Sequence, residues 1–236
     1  MMRTLRRIAR RIVRGAPAST GVNVMSSEID EFRLPSTTLT NLLEDHEPRR
    51  ICIESSQVER PRDMVLPLAD LMSIAAICRV LSPARIMEIG TFTGETTWTI
   101  ATNLPDSSQV FTLDLPPDEI PSFFPRYVAG SIFLGTPENA RIQQLFGWSD
   151  RFDFSPYHGS MDMVFIDGDH SHAAVQTDTA TALKLIRRGG IVIWDDYRYL
   201  PCHRDCCGVS DFLHSVMETI PVRQLAGTRL AVMRVG

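Results

Sequence analysis

Acidic and imidazole side chains follow two apolar runs of this sequence, at a spacing that could support chemistry. The run Met163–Ile166 leads into Asp167 and His170 within "FIDGDHSH", and the run "IVIW" leads into Asp195 and Asp196. Short apolar runs predict buried strands. If the two strands are neighbours in a parallel sheet, their carboxyl ends bring the three carboxylates to one edge. Carboxylate oxygens in such a group suit a hard divalent cation such as Mg²⁺.

From about residue 70 onward, apolar runs alternate with stretches of helical periodicity, which predicts βαβ units. The last two runs, "VRQL" and "RLAVMRV", are joined so tightly that they must pair as an antiparallel hairpin. We therefore expect an α/β fold: a Rossmann-like, doubly wound, seven-stranded, mostly parallel sheet with one antiparallel strand at its C-terminal edge. The other predicted elements are strands at 85–90, 109–115, 141–146, 161–167 and 191–196, and helices at 69–81, at 95–103, before Gly189 and Gly190, and at 208–220.

Charge is distributed unevenly along the chain. The net charge is −4, but the first 25 residues hold six arginines and no acid, so the rest, with 18 basic and 28 acidic residues, carries −10. An acidic main body is a poor partner for nucleic acid. We expect a basic arm at 1–25, an N-terminal extension at 26–64 and the main domain at 65–236.

Residues 1–20 have the pattern of an amphipathic surface helix, with Leu5, Ile8 and Ile12 among the arginines. This segment is interpreted as a loosely docked tail, or as a weak contact with a membrane surface or a partner protein. It lacks the uncharged core of a secretory signal, and no stretch approaches the ~18 apolar residues of a membrane-spanning helix. The chain also has five cysteines, an odd number. Together with the lack of a secretory-signal pattern, this predicts a cytoplasmic protein.

Four potential metal ligands lie together in "CHRDCC", namely Cys202, His203, Cys206 and Cys207. Structural zinc sites usually divide their ligands into two separated pairs, and no second pair accompanies this cluster. We therefore expect a loop with free thiols.

The turn after the first strand reads "MEIGTFTGETT". The turn contains Gly90 and Gly94 but not the middle glycine of the dinucleotide fingerprint. A pyrophosphate-binding loop and nicotinamide chemistry are therefore disfavoured. Glu88 lies within the strand, where a carboxylate needs a partner or a ligand. Asp114 ends the second strand, where an acid typically accepts hydrogen bonds from ribose hydroxyls. Alternatively, Glu88 pairs with Arg85 and Asp114 caps a turn.

The motifs "EIGTFTGETT", "TLDL", "VFIDGDHSHAAVQTD" and "RRGGIVIWDDY" occur in this order. Their combination resembles the class I S-adenosylmethionine-dependent methyltransferases, and within these the metal-dependent O-methyltransferases that act on sugars and other small molecules. The resemblance covers about residues 65–235. It implies S-adenosylmethionine as cofactor, with its methionine part at Gly90, Thr91, Phe92 and Gly94, its ribose at Asp114, its adenine near Ser149, and Glu88 and Asp167 in the same site.

The resemblance also implies that Asp167, Asp195 and Asp196 bind Mg²⁺ or another divalent cation, and that His170 is the general base. No basic cluster accompanies the three acids in the sequence, which disfavours a purely structural role. An imidazole titrates near neutral pH, and the single lysine of the chain lies too far along the next helix to replace it. Alternatively, Asp169 caps that helix, whose exposed face includes His172.

Three functional hypotheses remain open. The first is a Mg²⁺-assisted O-methyltransferase that acts on a small-molecule hydroxyl acceptor, and no nucleic acid is expected as a partner. The second keeps the methyltransferase but drops the metal, with His170 acting alone or with Asp169. The third is a non-catalytic domain that binds S-adenosylmethionine. A homo-oligomer is expected, and aromatic residues available to line an acceptor pocket are Phe123, Phe124, Tyr127, Tyr157 and Tyr199.

Overall fold

The computed structural model describes residues 34–45, 47, 49–59, 65–122, 125–197 and 207–236. The basic arm at 1–25 lies outside these residues, as do Phe123, Phe124 and Tyr199. Of the cysteine cluster, the structure describes only the backbone of Cys207. The predictions made for these segments therefore stay predictions.

Within the described residues, eight strands form one sheet. Their bounds are Ser36–Thr37 (β1), Arg85–Ile89 (β2), Gln109–Asp114 (β3), Ile142–Phe146 (β4), Met161–Ile166 (β5), Ile186–Trp194 (β6), Arg223–Leu225 (β7) and Ala231–Arg234 (β8). The order is β1-β7-β8-β6-β5-β2-β3-β4, and all pairs are parallel except the two that involve β8. The predicted α/β architecture with a mostly parallel sheet is confirmed.

Two details of the predicted sheet are wrong. The sheet has an eighth strand, β1, which comes from the N-terminal extension and pairs Ser36 with Gln224 and Thr37 with Leu225. The antiparallel strand β8 does not form the edge, because it lies between β6 and β7. A strand of two residues has no hydrophobic periodicity, so the sequence pattern could not reveal β1 or the edge that it forms.

Helices lie on both faces of the sheet. Their bounds are Leu39–Leu43 (α1), Ser55–Glu59 (α2), Leu68–Leu81 (α3), Glu95–Thr102 (α4), His172–Leu185 (α5) and Cys207–Val216 (α6). Val164 and Ile166 of β5 pack in the same core cluster as residues of α5 and α6, while Met163 and Phe165 pack with residues of α3 and α4. Successive side chains of a strand point to opposite faces, so one strand contributes to both core layers. None of the helices described here has the length and apolar character needed to cross a membrane.

Helix α5 differs from its predicted form at both ends. Its N-cap is Ser171, whose hydroxyl accepts the N–H of Ala174, whereas Asp169 accepts the N–H of Ser171 at 2.7 Å. Its last residue is Leu185, and the two glycines expected to end the helix lie inside β6. The helix therefore begins two residues after His170, which leaves that side chain on the preceding loop.

Candidate active site

A cavity of about 480 Å³ lies at the carboxyl ends of β2, β3, β5 and β6. This edge of an open α/β sheet is where ligands usually bind. The predicted site residues that line it are Gly90, Thr91, Phe92, Asp114, Ser149, Asp167, His170, Asp195 and Asp196. Glu88 and Gly94 are not part of the lining. Of the predicted acceptor aromatics, Tyr127 lines the cavity, whereas Tyr157 packs against Phe111.

The turn after β2 requires glycine at two positions because other parts of the chain approach closely. Gly90 has a φ of +99°, and a Cβ there would lie 1.9 Å from the backbone oxygen of Asp167. Gly94 has a φ of +88°, and a Cβ there would lie 2.6 Å from the ring of Phe133. Gly94 therefore shapes the turn from outside the cavity, while Gly90 lets the turn pack on the exit of β5.

Asp114 ends β3 in the cavity wall and accepts hydrogen bonds from the backbone and from Tyr127. Its Oδ2 accepts the N–H of Phe92 at 2.6 Å, and its Oδ1 accepts the N–H of Leu115 at 2.7 Å and the hydroxyl of Tyr127 at 2.8 Å. Burial raises the pKa of Asp114, although these hydrogen bonds oppose the shift. These donors fix the orientation of the Asp114 carboxylate in the cavity wall.

Glu88 is fully buried and has polar partners inside the fold. Its Oε2 accepts the hydroxyl of Thr112 at 2.5 Å and the hydroxyl of Thr97 in α4. Thr112 in turn hydrogen-bonds to Thr91 at 2.6 Å. Burial raises the pKa of Glu88 to about 8. Glu88 is thus connected to the cavity through Thr112 and Thr91. The sequence suggested a ligand or an arginine as its partner, but the partners that the structure shows are threonines.

The loop after β4 forms the side of the cavity that contains Ser149. Next to it, Trp148 donates its indole N–H to Glu119, which belongs to the segment after β3. Asp178, a buried residue of α5 that sequence reasoning did not select, lies near Ser149, and neither of its carboxylate oxygens accepts a hydrogen bond from a described residue. Burial raises the pKa of Asp178 to about 6, and the Ser149 contact opposes that shift. The Ser149 loop therefore lies near a buried acid of α5.

Three aspartates and a histidine meet at the ends of β5 and β6. The last residues of these two strands are paired, so Asp167 and Asp195 leave the sheet side by side. Asp196 has a φ of +55°, which bends the chain and lets both acids after β6 line the cavity. His170 places Nε2 3.7 Å from Oδ1 of Asp167 and Nδ1 3.3 Å from Oδ2 of Asp196.

Burial and neighbouring carboxylates disfavour ionisation of Asp167 and Asp195. Burial raises the pKa of Asp167, and burial together with the charges of Asp167 and Asp196 raises the pKa of Asp195 well above its usual range. For His170, burial lowers the pKa, but the contact with Asp167 and the charges of Asp167, Asp196 and Asp169 together outweigh burial, so the pKa is raised overall. A cluster of this kind attracts a positive charge.

An arginine supplies one such charge. Arg229, in the turn between β7 and β8, places Nη1 3.0 Å from Oδ1 of Asp196 and Nη2 3.3 Å from Oδ2 of Asp195. Its Nε lies 3.5 Å from Oδ2 of Asp70, at the start of α3. The sequence predicts no basic partner for the three acids, and this prediction is wrong. The basic partner lies far away in the sequence, in the β7–β8 hairpin, and the pairing of β8 with β6 brings it to the three acids.

The chemistry of the donor set fits a hard divalent cation. All three predicted ligands are carboxylates, and the Oδ1 atom of Asp195 is buried and accepts no hydrogen bond. In the part of the chain that the structure describes, however, no three side chains are arranged to hold a metal ion as they stand. Oxygens of Asp195 and Asp196 face Arg229 instead. A bound cation would have to share these oxygens with the guanidinium.

Comparison with known proteins gives a consistent result. A family described as "Methyltransferase domain" matches residues 87–197, which include the glycine turn and all three aspartates. Catechol O-methyltransferase B of Danio rerio is 27% identical over 145 residues, which cover 59% of this chain and 49% of that protein. The chain thus spans about half the length of this relative.

Two solved structures share the fold. The O-methyltransferase TomG from Streptomyces achromogenes, in complex with SAM, superposes with a TM-score of 0.57 and 20% identity, covering 79% of this chain and 92% of TomG. The SAH-bound methyltransferase PaMTH1 from Podospora anserina gives a TM-score of 0.61 and 16% identity, covering 92% of this chain and 99% of PaMTH1.

Proposed function

We propose that this chain, whose residues 87–197 match a methyltransferase family, is a class I S-adenosylmethionine-dependent methyltransferase that methylates a hydroxyl group of a sugar or another small molecule. The observation that carries the proposal is the single cavity that joins the glycine turn and Asp114 to His170 and the three aspartates. Its volume of about 480 Å³ is typical of small-molecule sites.

In this proposal, the two walls of the cavity have different tasks. The turn at Gly90, Thr91 and Phe92 binds the methionine part of the cofactor, Asp114 accepts hydrogen bonds from the ribose, and Ser149 lies beside the adenine. These roles are supported by the lining positions of all five residues and by the way in which backbone N–H groups fix the Asp114 carboxylate. The opposite wall then faces the methyl group that is transferred.

His170 is proposed to accept the proton of the acceptor hydroxyl. The acceptor oxygen attacks the methyl carbon, the bond between that carbon and sulfur breaks, and its electron pair stays on sulfur, which leaves S-adenosylhomocysteine. Proton removal from the attacking oxygen by a positioned base accelerates such a step. The carboxylates of Asp167 and Asp196, on either side of the ring, stabilise the imidazolium that results.

Asp167, Asp195 and Asp196 are proposed to hold Mg²⁺ or another divalent cation. When bound, such an ion supplies Lewis-acid chemistry that orients the acceptor hydroxyl and lowers its pKa. The support is the all-carboxylate donor set and the buried Oδ1 of Asp195, which accepts no hydrogen bond.

A second candidate is a metal-independent O-methyltransferase with the same base. The observation that favours it is the position of Arg229, which already places positive charge 3.0 and 3.3 Å from oxygens of two of the three proposed ligands. In that case the aspartates and the arginine orient His170 and the acceptor.

Calorimetric titration with S-adenosylhomocysteine tests the cofactor site. We expect binding to the wild type, loss of most of the affinity in Asp114→Ala, and no change in the control Asp118→Ala, whose side chain is exposed on the following segment. A folded wild-type protein that does not bind this compound would overturn the proposed function.

Transfer of a labelled methyl group from S-adenosylmethionine to a panel of sugars and phenols tests the chemistry. Activity that requires Mg²⁺ and is lost with chelator supports the first candidate, whereas activity unaffected by chelator supports the second. Cofactor binding without turnover on any acceptor would contradict both and favour a domain that binds the cofactor without catalysis.

A further inference from the structure

Arg229 is the arginine in the lining of the cavity, and it contacts three acids from two separate parts of the chain. Asp196 and Asp195 follow β6, and Asp70 lies in the first turn of α3. The guanidinium therefore stands between the proposed catalytic wall of the cavity and a buried acid behind it. The Arg229 side chain is 19% exposed, so most of its charge is shielded from water.

Asp70 fixes Arg229 from behind. Its side chain is 1% exposed, and its two carboxylate oxygens lie 3.4 and 3.3 Å from the backbone nitrogen of Arg229, which donates to them. The same carboxylate lies 3.5 Å from Nε of the side chain. Backbone and side chain are thus held by one acid, which aims the two terminal nitrogens at Asp195 and Asp196.

A guanidinium held in this way must affect the affinity of the same carboxylate oxygens for any other cation. Two positive charges within a few ångströms of each other repel strongly where the effective dielectric is low, as in this mostly buried site. An anionic acceptor is a less suitable ligand for Arg229, because three carboxylates already lie within 3.5 Å of it.

We propose that Arg229 is the built-in counter-cation of the cluster formed by Asp167, Asp195 and Asp196, and that it weakens the binding of divalent cations there. This inference rests on the proposed function, since it assigns Arg229 the task of setting the metal affinity of that same site. Arg229 is a positioning residue: it holds two proposed ligands in place, and a divalent cation has to compete with it.

The test is the affinity for Mn²⁺, measured from the signal of free Mn²⁺ in electron paramagnetic resonance. Arg229→Gln keeps donor N–H groups but removes the charge, and it should bind Mn²⁺ at least about tenfold more tightly than the wild type. Arg229→Lys keeps the charge and should remain close to the wild type. Arg223→Gln, an exposed position in the same hairpin, is the matched control and should show no change.

Equal or weaker Mn²⁺ binding by folded Arg229→Gln would overturn the inference, as would the absence of Mn²⁺ binding in every variant. Circular dichroism reports whether Arg229→Gln folds. If it does not, Arg229→Met and Arg229→Lys provide the same comparison between an uncharged and a charged side chain. S-adenosylhomocysteine titrations on the same samples separate the two proposals: if the cofactor binds and Mn²⁺ affinities are equal, the Arg229 inference alone fails.

Discussion

The Nδ1 atom of His170 lies 3.3 Å from Oδ2 of Asp196, across the gap between the ends of β5 and β6. The other ring nitrogen, Nε2, faces Oδ1 of Asp167 at 3.7 Å. A carboxylate from each strand end therefore fixes the orientation of one imidazole, and both stabilise its protonated form. These contacts raise the pKa of His170 above its ordinary value despite the opposing effect of burial.

Replacement of His170 by alanine should lower methyl transfer by about 100-fold or more, because the acceptor proton loses its base. Cofactor binding should be retained, since the glycine turn and Asp114 are unchanged. Single-turnover rates and S-adenosylhomocysteine titrations measure the two effects separately. His172→Ala, at an exposed position on α5, is the matched control. A fully active His170→Ala enzyme would remove the proposed role.

Glu88→Gln should make stability less dependent on pH. Burial raises the folded-state pKa of Glu88 to about 8, above its ordinary value of 4.5, so the folded state keeps a proton that the unfolded state has lost. Wild-type stability should therefore fall as pH rises from about 4.5 to about 8, by at most about 5 kcal/mol from this group. A glutamine removes this loss and can still accept the hydroxyls of Thr97 and Thr112.

Urea unfolding at pH 5, 6.5 and 8 measures this effect. The advantage of Glu88→Gln over the wild type should grow with pH across the series. Glu218→Gln, on an exposed side chain, should follow the wild-type profile. Parallel profiles for Glu88→Gln and the wild type would show that Glu88 does not keep its proton in the folded state.

Gly90→Ala should destabilise the fold by about 3 kcal/mol or more, because overlap with packed backbone adds to the strain of a positive φ. Its Cβ would lie 1.9 Å from the backbone oxygen of Asp167, so the exit of β5 would have to move. Gly135→Ala provides the control: its φ is +81°, but a Cβ there meets no atom within 4 Å. Thermal unfolding of both variants should show the larger loss at Gly90, and equal losses would contradict the close approach.

Tyr127→Phe should weaken S-adenosylhomocysteine binding by about fivefold, the factor for one orienting hydrogen bond of about 1 kcal/mol. The lost bond is the 2.8 Å contact to Oδ1 of Asp114, while the ring contact with Phe92 is kept. Tyr157→Phe, which leaves the ring contact with Phe111 in place, should bind like the wild type. Unchanged affinity in Tyr127→Phe would mean that the hydroxyl does not hold Asp114 once the cofactor is bound.

The positions of Asp114, Asp167 and Asp195 were predictable because each directly follows, or ends, an apolar strand. In a parallel sheet, the carboxyl ends of neighbouring strands meet at one edge. Strand identity alone was therefore sufficient to bring these acids together, although they are far apart in the chain.

The partners of Arg229 and Glu88 were harder to predict from the sequence, because they depend on strand register. The antiparallel β6–β8 register pairs Trp194 with Ala231. Asp196, two residues after Trp194, therefore lies opposite Arg229, two residues before Ala231. The β2–β3 register likewise pairs Glu88 with Thr112. Register depends on packing and on turns across the whole sheet, and no local motif encodes it. The one available signal for Arg229 was its position directly before the final apolar run.

Strand β1 has a consequence for how molecules of this protein behave toward one another. The carbonyl oxygens of Pro35 and Thr37 accept the N–H groups of Gln224 and Ala226, at 3.0 and 2.9 Å. Without these bonds, β7 would offer unpaired backbone groups, the kind of template on which strands of other chains add and aggregates grow. Two residues of the extension thus cover the backbone edge of β7, and a version shortened past Thr37 would expose that edge to strands of other chains.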